Sequence, residues 1–258
     1  MPEIISVHSF RGGTGKSNLV ANMATSLAML GHRVGIVDTD IQSPGVHMMF
    51  GMDEQPVQRT LNDYLWSRTS IEDAAFALDQ LDDPQRPFLK DLKLWLVPSS
   101  LQPNDIAKVL REGYDVNLLQ QGFHRLVRSL NLDYLIIDTH PGLDEETLLA
   151  IAMSNTLLLT LRTDKQDKLG TAVTIDIAQR LEVPKIRLVV NYVPMRYDFP
   201  KIKQELSATY DIPVAGVLPL SEDVAANASG NIFCALYPDH PWAQALRGVI
   251  DEVIVAEK

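Results

Sequence analysis

The chain has 258 residues, 46% of them hydrophobic and 22% charged, and a net charge of −10. These proportions suit a globular protein with a core of normal size, and the single cysteine, Cys234, excludes a disulfide framework or a cysteine-rich zinc or iron–sulfur site within one chain. The opening MPEIISVHSF has no basic segment leading into a long apolar run, and no stretch approaches 18 apolar residues, so neither a secretory signal nor a membrane span is expected and the protein is placed in the cytoplasm.

Strand and helix signals alternate along the chain. Residues 3–8 form a short β-rich run leading straight into glycines. Residues 16–30 carry apolar side chains at helical spacing and stop at Gly31, a residue suited to ending a helix. A buried strand over 33–38 ends in Asp38. Residues 60–68 and 71–78 read as helices outside the simple repeat, and 92–97 as a strand stopped by Pro98. Helices at 103–112 and 115–130 precede a strand over 132–138 that again ends in acid, at Asp138. Then come helix 144–154, strand 156–161, helix 168–182, strand 186–190, helix 199–210, strand 213–217 and a C-terminal helix near 241–255. Strands that are apolar on nearly every residue are buried on both faces, which predicts a mostly parallel α/β sheet covered by helices on both sides. With no linker or repeat in view, residues 1–258 are expected to form one domain.

The stretch HSFRGGTGKSN, residues 8–18, lies between the first strand and the first helix. That setting suits anion binding, because turn amides and the positive helix terminus face the same point. Lys16 would reach the β- and γ-phosphates of a nucleotide, and the Ser17 hydroxyl would ligate Mg²⁺. Asp38 and Asp138 end strands at the same sheet edge, where a parallel sheet gathers its ligand crevice. The usual phosphate loop begins with a glycine four residues before its Gly-Lys-Ser, and here Phe10 holds that place.

The loop resembles the "deviant" phosphate loop of the MinD/ParA ATPases, which lack that first glycine. Four further motifs fall in the family's order. Asp38-Thr-Asp40 is similar to switch I and Asp138-Thr-His-Pro-Gly142 to switch II. Asn191, at a strand end, and the segment Val217–Val224 resemble the parts that contact and wall the base. The resemblance implies a P-loop ATPase that binds ATP and Mg²⁺ through Gly12, Gly13, Thr14, Gly15, Lys16, Ser17 and Asn18, with Asn191 and Pro219 at the base. It implies that Asp40 orients the attacking water, that Lys16 and Arg11 serve catalysis, and that Ser17, Asp40 and Asp138 hold the metal. It also implies an ATP-dependent homodimer that hydrolyses slowly, is stimulated by a cargo-adaptor protein, and positions or partitions a cargo.

One departure stands out. The family's signature lysine, which crosses to the partner's phosphates, is Arg11 here, as in being absent it is similar to some carboxysome-positioning relatives. Either Arg11 makes the trans contact, as a bidentate phosphate ligand can, or Lys165 or Lys168 does. His140, inside switch II, either tunes the hydrolytic water or is structural. Residues 162–203 hold nine basic and five acidic side chains in an otherwise acidic chain, which suits non-specific DNA binding and a nucleoid association, or a solvated set of helix faces. The C-terminal helix carries Asp251, Glu252 and Glu257 and few cations, so it is read as packed on the sheet and a membrane role is set aside. Two other activities of the fold stay open, a membrane- or scaffold-localising ATPase and an ATP-dependent carboxylate-activating synthetase. Metal-cluster carriers of this fold use paired cysteines, which this chain lacks.

Overall fold

The computed structural model describes residues 2–52 and 59–255, so Glu257 lies outside the described residues. Eight strands form one sheet: β1 (Glu3–His8), β2 (Val34–Asp38), β3 (Phe76–Ala77), β4 (Leu94–Val97), β5 (Tyr134–Asp138), β6 (Thr156–Leu161), β7 (Lys185–Val193) and β8 (Val214–Pro219). Their order is β3-β4-β2-β5-β1-β6-β7-β8. All neighbouring pairs are parallel except β3 with β4. The first strand is therefore central, flanked by β5 and β6. Every residue of β1, β2, β5 and β6 is buried, as the unbroken apolar runs require of strands covered on both faces.

Helices cover both faces. On one, helices Lys16–Met29, Phe233–Leu236 and Pro241–Val255 pack around Leu19, Met23, Phe233, Trp242 and Leu246. On the other, helices Leu61–Leu65 and Asn117–Ser129 lie over β2 and β5, and helices Lys165–Arg180 and Phe199–Tyr210 lie over β6 to β8. The C-terminal helix buries Trp242, Ala243, Leu246, Val249, Ile250 and Val253. It approaches β8 so closely that a Cβ on Gly216 would stand 2.4 Å from a Val249 methyl. It is a core helix, as its acidic surface suggests.

The structure departs from the sequence reading in short elements. The stretch read as one helix over 71–78 is a single turn, Ile71–Ala74, followed by the antiparallel edge strand β3 and a 3₁₀ turn. Helices Val46–Met49, Glu222–Ala226 and Phe233–Leu236 are too short to show periodicity. The helix expected from 168 begins at Lys165, because the Asp164 carboxylate caps it by accepting from the Gln166 and Asp167 N–H groups, each at 3.0 Å.

One buried polar tie fixes the first helix to helix Phe233–Leu236 on the same face. Asn22, fully buried, donates to the Asn18 carbonyl at 2.9 Å and accepts the Cys234 N–H at 2.8 Å. Leucine at this position has a similar branched shape, is larger, and leaves the Cys234 N–H unpaired. Asn22→Leu is expected to cost about 1–3 kcal/mol, measured by urea unfolding as a lower midpoint at unchanged slope.

Candidate functional site

The loop after β1 and the C-terminal ends of β2, β5, β7 and β8 border one cleft of about 440 Å³. Gly12, Gly13, Gly15, Lys16, Ser17 and Asn18 line one wall, with Asp40 and Pro141 beside them and Asn191 and Pro219 opposite. These residues come from five separate motifs of the chain. Gly13 and Gly15 take φ of +74° and +89°, the left-handed region that glycine enters without strain. At Gly15 space is limiting too, since a Cβ would lie 2.5 Å from Asn191 Nδ2.

Thr14 faces away from the cleft. Its hydroxyl pairs with that of Thr160 on β6 at 2.9 Å, and its carbonyl accepts from Asn191 Nδ2 at 2.8 Å. Asn191 is thus a support of the loop. The Asn191 Oδ1 takes the Tyr192 N–H at 2.8 Å. A carboxamide offers two donors and two lone pairs, so one of each is left for a base.

Phe10 has a steric role. Its ring lies across Gly170 of helix Lys165–Arg180, where a Cβ would stand only 2.1 Å from the ring. The missing glycine of the usual loop is replaced by an aromatic contact that fixes the loop's first half to that helix. Arg11, next along, pairs with Asp167 at 2.9 Å and Asp164 at 3.4 Å, and donates to the Gln166 side chain. In the single chain its guanidinium is held in cis.

The charged core of the site follows from strand register. Asp38 and Asp138 are direct partners on β2 and β5, so two carboxyls lie side by side at the sheet edge. Asp38 shapes switch I, accepting from the Asp40 N–H at 3.0 Å, the Gly45 N–H at 3.1 Å and the Val46 N–H at 3.4 Å. Burial pushes its pKa well above the ordinary carboxyl range, and the neighbouring Asp138 and Asp40 add to this. Asp138, also buried, is pushed up to about 7, chiefly by burial, against the pull of the Ser17 hydroxyl and Lys16. Both its oxygens lie out of solvent without a hydrogen bond of normal geometry. Lys16 faces these acids with its Nζ 3.1 Å from Ser9 Oγ. Burial lowers its pKa, while Asp138, Asp40 and Asp38 oppose that shift.

An orphaned buried carboxylate beside a serine hydroxyl is an oxygen-donor set that suits Mg²⁺. Among the described residues no group of three or more His, Cys, Asp or Glu could hold a metal alone. A magnesium ion here would therefore depend on Ser17, Asp138, phosphate oxygens and water, which is how that ion is usually held.

Asp40 has partners that sequence reading did not foresee. Its Oδ1 lies 2.8 Å from His140 Nδ1 and accepts from the Ser43 N–H at 3.0 Å. His140 and Asp40 thus join the two switch segments. Arg162 was visible only as surface charge; the structure puts its guanidinium on the Gly13 carbonyl and over the Tyr192 ring, 4.8 Å from the centroid. Adjacency of Tyr192 to Asn191 was the sole hint of that pair.

The basic segment does not fold into one surface. Lys185 opens β7 at the sheet edge opposite the cleft, and Arg187 follows it. Arg180, Lys185, Lys201 and Lys203 pair with Asp176, Glu3, Glu205 and Glu252 at 2.8, 3.5, 3.9 and 3.4 Å. Lys165 and Lys168 lie on the helix whose first turn pairs with Arg11, Arg196 stacks on Tyr197, and Arg162 is turned onto Gly13 and Tyr192.

His8 is buried beside Lys16 and opposes the acids. Burial, reinforced by Lys16, lowers its pKa to about 3, so it folds neutral. The stability linked to His8 is present above its ordinary 6.5 and lost as pH falls toward 3. That linked to Asp138 has the other sign: present below its ordinary 3.8 and lost as pH rises through about 7. Single replacement separates them. In the ligand-free chain, Asp138→Asn should gain about 2–4 kcal/mol over wild type between pH 4 and 8, read from urea midpoints across pH; a difference that does not change with pH would refute the assignment.

Comparison with known proteins places this geometry. The ParA family, described as NUBPL iron-transfer P-loop NTPases, matches residues 1–254. An uncharacterized ATP-binding protein of Methanocaldococcus jannaschii is 29% identical over 254 residues, covering 98% of this chain and 88% of that protein. An iron-sulfur cluster carrier protein of Deinococcus radiodurans is 29% identical over 265 residues, covering 95% of this chain and 67% of the relative. Among solved structures, the cell division ATPase MinD of Pyrococcus furiosus superposes with a TM-score of 0.82 at 21% identity, over 99% of this chain and 100% of the other. A putative plasmid partition protein of Borrelia burgdorferi bound to AMPPNP gives 0.78 at 18% identity, over 99% and 100%. These two structures show a shared fold.

Proposed function

Because the chain belongs to the ParA family of P-loop NTPases, we propose that it binds ATP with Mg²⁺ in the cleft, dimerises in that state, hydrolyses the ATP slowly and uses the cycle to position a cargo in the cell. The observation that carries this reading is the convergence of Lys16, Ser17, Asp40 and Asp138, from three distant segments, on one cleft edged by the glycine loop.

In this mechanism positioning does most of the work. Loop amides and Lys16 hold the phosphates, and Asn191 and Pro219 face the base. Ser17 and Asp138 would hold Mg²⁺, which would supply charge neutralisation at the phosphates. Asp40, steadied by His140 and Ser43, orients the water. Arg11 crosses to the partner's phosphates. It first has to leave Asp167 and Asp164, so the trans contact competes with a cis one. Lys165 and Lys168 stand nearby as the alternative. Residues 1–258 act as one domain throughout.

Transfer of an iron–sulfur cluster, the role in the names of several relatives, is a second reading. Such clusters are held by several thiolates. Cys234 is the chain's single cysteine, is buried, and has its thiol pushed up to about 12 by burial. Even a dimer would offer two such thiols, so the ligand set does not fit. Non-specific DNA is the favoured track, with Lys165, Lys168 and Arg196 doubled in a dimer.

Light scattering with ATP, ADP or no nucleotide tests the cycle. ATP alone should produce the dimer, and Arg11→Ala should abolish it; a dimer that persists in the variant moves the trans role to Lys165 or Lys168. Binding to random-sequence duplex DNA should require ATP and fade steeply as salt rises. Absence of binding would send the search for the track to protein scaffolds. Anaerobic reconstitution with iron and sulfide should leave no stable cluster absorbance; its appearance would revive the carrier reading.

A further inference from the structure

Arg162 lies between β6 and helix Lys165–Arg180, and the nucleotide reading gives it no role. Its contacts are specific. One terminal nitrogen donates to the Gly13 carbonyl. The guanidinium plane stacks on Tyr192, 4.8 Å from the ring centroid. Its Nε is buried without a hydrogen-bond partner, so the head group is committed to this one place. Its backbone N–H donates to Asp167 Oδ2 at 3.0 Å, and Asp167 is 2% exposed. The turn that carries Arg162 is therefore anchored independently of the loop it touches.

The consequence follows from the shape of a peptide unit. In a planar trans peptide the C=O of one residue and the N–H of the next point in opposite directions. Arg162 holds the Gly13 C=O and thereby sets the direction of the Thr14 N–H. Asn191 holds the Thr14 C=O at 2.8 Å and sets that of Gly15. Both carbonyls are drawn toward β6 and β7, which turns both N–H groups the other way. Gly13 and Gly15 line the cleft together with Asn191 and Tyr192, and among the described residues no backbone acceptor engages the Thr14 or Gly15 N–H. Successive amides turned to one side form an anion-binding concavity.

We propose that Arg162 is a positioning residue for the phosphate loop: by holding the Gly13 carbonyl, braced against Tyr192, it aims the Thr14 amide at the phosphates. This rests on the nucleotide reading above. Arg162 acts here through the loop and touches no phosphate itself. Loop amides hold ADP and ATP alike, so loss of Arg162 weakens both equally. An arginine acting directly on the γ-phosphate would affect ATP or turnover and leave ADP unchanged.

The experiment is titration of the full chain with fluorescent ADP and with a non-hydrolysable ATP analogue, each with Mg²⁺, for wild type, Arg162→Met and Arg162→Lys. Arg162→Met should raise the Kd of both nucleotides by a similar factor, about tenfold or more. Arg162→Lys, which keeps a donor but not the flat stack, should recover part of the loss. The ATPase KM should rise more than kcat falls. If Arg162→Met does not fold, Tyr192→Leu removes the brace and should weaken both nucleotides in the same proportion, by a smaller factor. Wild-type affinity in a folded Arg162→Met chain, or in Tyr192→Leu where that chain serves as the probe, overturns the assignment. So does loss of ATP analogue binding or of kcat with ADP binding intact. A wild-type chain that binds neither nucleotide refutes the nucleotide reading itself.

Discussion

Two buried carboxyls facing one buried lysine set the terms for the whole site. The pairing of β2 with β5 puts Asp38 directly against Asp138, and Lys16 is the cation they share. Burial raises the cost of every uncompensated charge, and the chain does not supply enough positive charge to balance the acids. Asp38 meets part of this by spending its oxygens on three backbone N–H groups. Asp138 has no such partners. The remaining imbalance is what a divalent cation would remove, so ion affinity and strain in the ligand-free chain have one source.

The glycine loop presents the complementary problem. Its backbone must stay in conformations that bring amides together, and glycine alone has no preference for them. The structure supplies the missing preference from outside the loop. Thr160 and Asn191 hold Thr14, Arg162 holds Gly13, and Phe10 rests on Gly170. Five residues of flexible sequence are thus held from three other elements. Arg11, in the same loop, is tied to carboxylates on helix Lys165–Arg180, so whatever shifts that helix also shifts the loop.

How much of this the sequence disclosed depends on whether a feature is local. The loop, the helix after it and the two acids at strand ends were readable, because each is a short run with its own spacing and burial pattern. The eight-stranded order with β1 at the centre agrees with the parallel α/β architecture expected from apolar strand runs. Pairings across long separations were not readable. Arg162 meets Gly13 across a separation of 149 positions, and its partner is a backbone carbonyl, which no residue type advertises. His140 meets Asp40 across 100. Charge counting over residues 162–203 overstated a surface, because it took no account of the strand that Lys185 and Arg187 begin at the far edge and could not see that Glu3 and Glu252 would neutralise two lysines. β3 escaped because two residues on a sheet edge carry no period.

The central place of the first strand has a consequence in time. β1 is made before any other strand, yet its neighbours are residues 134–138 and 156–161. Arg162 and Asn191, which hold the loop, come later still. During synthesis the glycine loop therefore leaves the ribosome with no sheet to stand on and no side chain to shape it. More than half the chain has to be present before it can take its binding form. Long-range pairing of this kind makes folding slow relative to local assembly. An anion can then engage the loop only after β6 and β7 have been made, and has no means of guiding the early stages of its own site.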